Sequence, residues 1–142
     1  MAKILIVEDE PGIRQSVSDW LMFEGHEVHV AENGLDGLNT ARQVQPDLII
    51  SDIRMPEMDG REFLMEVRAD PSLLGVSFIF LTASSEHDSI RGGMELGADD
   101  YLTKPFTHPE VLNAVNARLK KRLARVEVFN EQVKQLHRKI EL

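Results

Sequence analysis

Five short apolar runs, each separated from the next by a helix-length amphipathic stretch, restrict this chain to few folds. The runs are Lys3 to Val7, Glu27 to Ala31, Leu48 to Ser51, Ser77 to Leu81 and Asp100 to Thr103. Short apolar runs bounded by turn residues read as buried strands. After Pro11, which suits a helix's first turn, Ile13, Val17, Trp20, Leu21 and Glu24 keep helical spacing until Gly25. Gly34 to Val44 carries Leu35, Leu38, Ala41 and Arg42 on one stripe and stops at Gln45-Pro46. Gly60 to Ala69 presents Phe63, Leu64 and Val67 before Asp70-Pro71 breaks it, and His87 to Leu96 is the fourth helix. Thr107 with Glu110 forms a capping box for the last helix, with Phe106 and Val111 as its hydrophobic staple. Such alternation predicts an α/β fold: a doubly wound five-stranded parallel sheet, helices on both faces, right-handed crossovers and an extended C-terminal helix.

In such a sheet, ligands bind beyond the carboxyl ends of the strands. The residues that follow the runs are Glu8 and Asp9, then Asp52, then Thr82 and Ala83, then Lys104. The stretch LIISDIRMPEMDG shows the point most sharply, because a buried run ends on the carboxylate of Asp52. An acid there is costly unless something uses it. Taken singly, each residue has an ordinary role: Asp9 or Glu10 as a helix start, Asp52 in a turn, Thr82 as a cap, Lys104 as a solvated charge and Tyr101 in the core. Parallel strands end on one side, so the residues converge on one edge. Three gathered carboxylates repel one another, and a divalent cation relieves the repulsion. Mg2+ suits the set, since it takes one or two carboxylates, keeps waters and accepts phosphate oxygens. Acids, a cation, a hydroxyl and an ammonium compose a site for phosphoryl transfer, with Asp52 as the accepting carboxylate.

The motifs ILIVEDE, LIISDIRMPEMDG, FLTA and GADDYLTKPF resemble, in order and spacing, the receiver domain of two-component response regulators. The resemblance runs from about Lys3 to about Leu119 and implies a (βα)5 flavodoxin-like, CheY-like fold. It implies that Asp52 is the phosphoacceptor, Asp9 a direct Mg2+ ligand and Glu8 a ligand acting through water, with the backbone carbonyl of Arg54 completing the set. Thr82 and Tyr101 resemble the family's switch pair, Lys104 the lysine on the phosphoryl oxygen, and Lys104-Pro105 its cis peptide. Arg54, Ala83 and Ser84 flank the site as residues that tune the phosphoryl lifetime. Glu8 stands where many relatives carry Asp, a longer acid of the same charge. The implied phosphodonor is a histidine kinase or phosphotransfer protein. Phosphorylation would add about −1.5 to −2 charges, draw Thr82 to the phosphoryl group and let Tyr101 move inward.

Charge and composition exclude several classes. The chain has no cysteine, so disulfides, thiolate zinc sites and cysteine nucleophiles are absent. MAKILIVEDE is neither a signal peptide nor a membrane span, and the chain is expected in the cytoplasm, off the membrane. Met1 to His108 holds 8 Lys+Arg against 20 Asp+Glu, a net −12, whereas Pro109 to Leu142 holds 8 against 4, a net +4. The acidic body argues against direct nucleic-acid binding.

Past Pro109 no proline or glycine interrupts the chain. Leu112, Leu119, Val126, Val133 and Ile140 recur every seven residues, with Val115, Arg122, Phe129 and Leu136 offset by three. That is an a/d seam broken once by Arg122, and it predicts a coiled coil. The expected division is a receiver over 1–119 and a helical extension over 120–142. The extension is expected to form a homodimer, in parallel as the leading arrangement. Because the pattern stops at Leu142 without a C-cap glycine, the chain reads as cut from a longer protein with a covalently linked output domain. A stand-alone regulator that dimerises through its tail is the other reading.

Two further functions remain in view. An aspartate-nucleophile phosphatase would carry D-x-D with its second acid as general acid, but Arg54 stands two residues after Asp52. A dimerisation scaffold that is never phosphorylated would have no use for the acid pair, Thr82 and Lys104. A calcium loop in DIRMPEMDGREF fails, since Arg54 and Pro56 take ligand positions and Glu57 the glycine position. The expected activity is a switch that catalyses only its own phosphorylation and dephosphorylation.

Overall fold

The computed structural model describes residues 1–83 and 87–141, with side chains for 1–83 and 91–140. The elements run β1 (Lys3–Val7), α1 (Pro11–Phe23), β2 (Glu27–Ala31), α2 (Gly34–Val44), β3 (Leu48–Asp52), α3 (Gly60–Ala69), a 3-10 turn (Pro71–Leu73), β4 (Ser77–Ala83), α4 (His87–Glu95), β5 (Asp100–Lys104) and α5 (His108–Glu141). All strand pairs are parallel, in the order β2-β1-β3-β4-β5. The order reverses between β1 and β3, and a crevice opens there at the carboxyl ends.

Strand alternation divides the core into two layers. Leu5, Val7, Ile49, Phe78 and Phe80 point to one face, where Leu38 and Ala41 of α2 and Phe63, Leu64 and Val67 of α3 cover them. Ile4, Ile6, Leu48, Ile50, Ile79 and Leu81 point to the other, against Val17 and Leu21 of α1 and Val111, Ala114 and Val115 of α5. Successive strand residues therefore bury in opposite layers, as a two-faced sheet requires. No helix among the described residues is long and apolar enough to cross a membrane.

The helix boundaries follow local chemistry. Pro11 opens α1, and Gly25 at φ 90° follows its end. Thr107 and Glu110 exchange reciprocal hydrogen bonds at the start of α5, Glu110 N–H to Thr107 Oγ1 at 3.3 Å and Thr107 N–H to Glu110 Oε1 at 3.3 Å. Three strands run further than the apolar runs suggest. β3 includes Asp52, β4 extends through Thr82 and Ala83, and β5 includes Lys104, because pairs such as Asp52 with Leu81 and Ala83 with Lys104 continue the ladder. The backbone stays in the sheet where the side chains turn polar.

Candidate functional site

Asp52 closes β3 inside the sheet and is only 7% exposed. Its Oδ1 accepts the Ile53 N–H at 2.8 Å, and the Ser51 hydroxyl donates to the Asp52 carbonyl at 2.8 Å. Gly60 sets the depth of this corner. A Cβ there would stand 2.3 Å from the Asp52 carbonyl oxygen and 2.8 Å from Ile53 Cα, so only glycine lets α3 begin so close to the strand end. Gly60 N–H in turn donates to the Ile53 carbonyl at 2.7 Å.

Glu8, at the end of β1, is fully buried, whereas Asp9 is exposed. One carboxylate oxygen from each of Glu8, Asp9 and Asp52 lies within 4.8 Å of the others. Lys104 Nζ bridges two of them, donating to Asp52 Oδ2 at 3.3 Å and to Glu8 Oε1 and Oε2 at 3.3 and 3.5 Å. The Lys104-Pro105 peptide is cis. Burial pushes the Glu8 carboxyl up to about 7, the Asp52 charge adds to the shift, and Lys104 opposes it. Burial also raises Asp52 above the usual carboxylate range, against the pull of Lys104 and the Ile53 N–H. For Lys104 burial disfavours the ammonium, but Asp52 and Glu8 outweigh it and the net shift is upward. The pocket thus holds more negative charge than one lysine neutralises.

Thr82 is buried one strand over, its hydroxyl 3.3 Å from the Ala83 carbonyl. Tyr101 on edge strand β5 is 42% exposed and pairs in register with Phe80, two residues before Thr82, so the two side chains share one face of the sheet, Thr82 buried and Tyr101 open to solvent. Arg54 lines an open depression of about 440 Å³ with Asp9, Met55, Pro56, Asp59 and Arg61. Ala83 is exposed at the end of β4, and Ser84 lies outside the described residues. Two contributors escaped the sequence reading. Arg14, in the first turn of α1, donates to the Glu8 carbonyl at 2.8 Å, and the Glu10 N–H approaches Glu8 Oε1 at 3.4 Å. An arginine six residues from its partner across a strand-to-helix turn follows no periodicity, so no pattern signals it.

The family profile described as the response regulator receiver domain matches residues 4–116. The chain belongs to the receiver-domain family. This receiver is 39% identical over 121 residues to the DNA-binding dual master transcriptional regulator RpaA of Synechocystis, an alignment covering 85% of this chain and 50% of that protein. It is 34% identical over 135 residues to the regulatory protein AtoC of Escherichia coli, covering 95% of this chain and 28% of that one. The chemotaxis response regulator CheY4 of Vibrio cholerae superposes with a TM-score of 0.79 at 36% identity, covering 83% of this receiver and 98% of CheY4. The chain spans about half the length of the first curated relatives it matches. Its similarity is to phosphorylation-regulated response regulators, and its acidic cluster is consistent with a phosphoacceptor site.

Proposed function

We propose that this receiver is a phosphorylation-controlled switch of a two-component system, in which Asp52 accepts a phosphoryl group from a phosphohistidine on a histidine kinase or phosphotransfer protein. The observation that carries this reading is a largely buried strand-end carboxylate lying within 3.3 Å of Lys104 and beside two further acids. In the transfer, an Asp52 carboxylate oxygen forms the new P–O bond, the P–N bond breaks, and its electron pair leaves on the imidazole nitrogen. Catalysis then rests on positioning and charge neutralisation, which is how phosphoryl transfer is accelerated. Lys104 holds a charge opposite the developing phosphoryl oxygens. Such a chain catalyses only its own phosphorylation and dephosphorylation.

The donor set fits Mg2+: hard carboxylate oxygens from Glu8, Asp9 and Asp52, close enough for a shared small cation and in excess of the single ammonium. The Arg54 carbonyl on the same rim would add a neutral oxygen. When bound, the ion supplies charge neutralisation for the incoming phosphoryl oxygens. Asp9 and Asp52 would hold it directly and Glu8 through water, while Lys104 keeps its contacts to Glu8 and Asp52.

The readout in this proposal passes through Thr82 and Tyr101. A buried hydroxyl one strand from Asp52 turns to a phosphoryl oxygen, and the space it leaves lets the outward Tyr101 ring move in. That rearranges the face formed by α4, β5 and α5. Ala83 leaves the phosphoryl group open to donor and water, and Arg54 and Ser84 set its lifetime. From α5 the change passes to a coiled-coil dimer through the 120–142 extension and to a linked output domain.

Incubation with labelled acetyl phosphate and magnesium is expected to deposit one acid-labile phosphoryl group per chain, and Asp52→Asn to abolish it. Label persisting on Asp52→Asn would remove the proposal.

A further inference from the structure

Of the three gathered acids, two are held through their side chains. Glu8 and Asp52 are buried and share the Lys104 ammonium, each with an oxygen at 3.3 Å. Asp9 is exposed, so the direction of its carboxylate depends on how the backbone presents its Cα–Cβ bond. That backbone lies just past the sheet. The Glu8 N–H donates to the Ala31 carbonyl at 3.1 Å, and β2 ends at Ala31. The Glu8 carbonyl therefore runs beyond the strand that would supply its donor. A backbone carbonyl in that position turns to water or to a side chain.

Arg14 supplies the donor. Its Nη1 donates to the Glu8 carbonyl at 2.8 Å, and its backbone N–H donates to the Glu10 carbonyl at 3.0 Å. One residue of α1 thus holds the carbonyls immediately before and after Asp9. Because a peptide unit is planar, fixing the Glu8 carbonyl also fixes the direction in which the Asp9 nitrogen and Cα leave it. The second contact of the guanidinium is loose: Nη2 stands 3.7 Å from Oε1 of the exposed Glu32. The charge-assisted bond to the carbonyl is the short one.

We propose that Arg14 is a positioning residue for the cation site: by holding the Glu8–Asp9 peptide it sets Asp9 at the angle that Mg2+ requires beside Asp52. This rests on the proposal that the three acids hold Mg2+, and it adds the residue that shapes the site for that ion. Mg2+ demands near-ideal octahedral geometry, whereas Ca2+ accepts flexible shells. A backbone clamp therefore matters most to the smaller ion. Charge alone predicts the reverse, since a guanidinium beside a cation site repels the ion, and removing it would tighten the binding of both. The sign of the change separates the two roles.

The test is calorimetric titration of the full 142-residue chain, stripped of metal, with Mg2+ and with Ca2+ at one fixed pH. Arg14→Met keeps the packing of the stem and removes the guanidinium. It is expected to weaken Mg2+ binding by about tenfold, the low end for residues that orient metal ligands. Ca2+ binding is expected to weaken by less than about threefold. Glu32→Gln touches only the loose ion pair and is expected to leave both affinities within about twofold. Arg14→Gln is expected to match Arg14→Met and carries the test should the latter not fold. Unchanged or tighter Mg2+ binding in the Arg14 variants overturns the positioning role. So does an equal loss for the two ions, which would mark a general loosening of the fold. A loss as large in Glu32→Gln would place the effect in the ion pair and overturn it as well. A wild-type chain that binds no Mg2+ removes the proposed cation site itself, an outcome distinct from all of these.

Discussion

Glu8 concentrates the electrostatic tension of the site in one side chain. It is fully buried, and its carboxyl titrates near 7 where an ordinary glutamate would be ionised well below that. Between its ordinary value of 4.5 and about 7, the folded protein therefore holds a proton that the unfolded chain has released. Linkage then makes the metal-free fold lose stability as pH rises through that window, the loss being complete above it. The raised Asp52 acts in the same direction. Urea unfolding in chelator is expected to give a lower midpoint at pH 8 than at pH 5.5, and Glu8→Gln to flatten most of the difference. Magnesium should raise the midpoint more at pH 8, because the carboxylates must be ionised to bind it. A wild-type midpoint independent of pH in chelator would contradict this account.

At the scale of elements, α4 is set apart by two consecutive glycines whose surroundings differ. A Cβ at Gly92 would meet nothing closer than the Arg61 guanidinium at 3.4 Å, whereas one at Gly93 would fall 2.2 Å from a ring carbon of Phe80. Gly92→Ala is therefore expected to stabilise the fold by about 0.5–1 kcal/mol through helix propensity and unfolded-state entropy. Gly93→Ala should destabilise it by about 1–3 kcal/mol through overpacking. Chemical denaturation of both variants decides the matter, and equal effects would mean that α4 does not press on Phe80. The chain just past the C-terminal end of α4 is anchored more firmly. Arg68 of α3 donates to the Gly97 carbonyl at 2.8 Å and the Val76 carbonyl at 2.7 Å, and pairs with Asp99 at 3.2 Å. A helix loosened by glycine and tethered beyond its C-terminal end suits the shift of α4 that the proposed switch requires.

The whole molecule is a two-layered receiver with a helical arm, and contact with the arm continues past Leu119. Arg122 reaches Asp47, and Leu123 lines a hollow with Met1, Ala2 and His26. A chain ending at Leu123 keeps these contacts and is expected to unfold at the full chain's midpoint, sedimenting as a monomer. A chain ending at Leu119 is expected to unfold earlier, having lost the Arg122 ion pair and the Leu123 packing. Equal midpoints for the two truncations would show that the last turn contributes nothing to the body. By itself the sequence determined the order and type of all five strands and five helices. It did so because each buries one face and its apolar period must match its geometry. It also marked Glu8, Asp9, Asp52, Thr82 and Lys104, because parallel strands carry their ends to one edge. The 3-10 turn at Pro71–Leu73 and the polar last residues of β3, β4 and β5 escaped it, since neither carries an apolar period. Only the tertiary structure decided that Lys104 spans Glu8 and Asp52, that Arg14 braces the Glu8 backbone, and that Val111, Ala114, Val115 and Leu119 of α5 pack against its own sheet. Those facts depend on distances between segments up to 96 residues apart, which only the packing of the two layers around the sheet fixes.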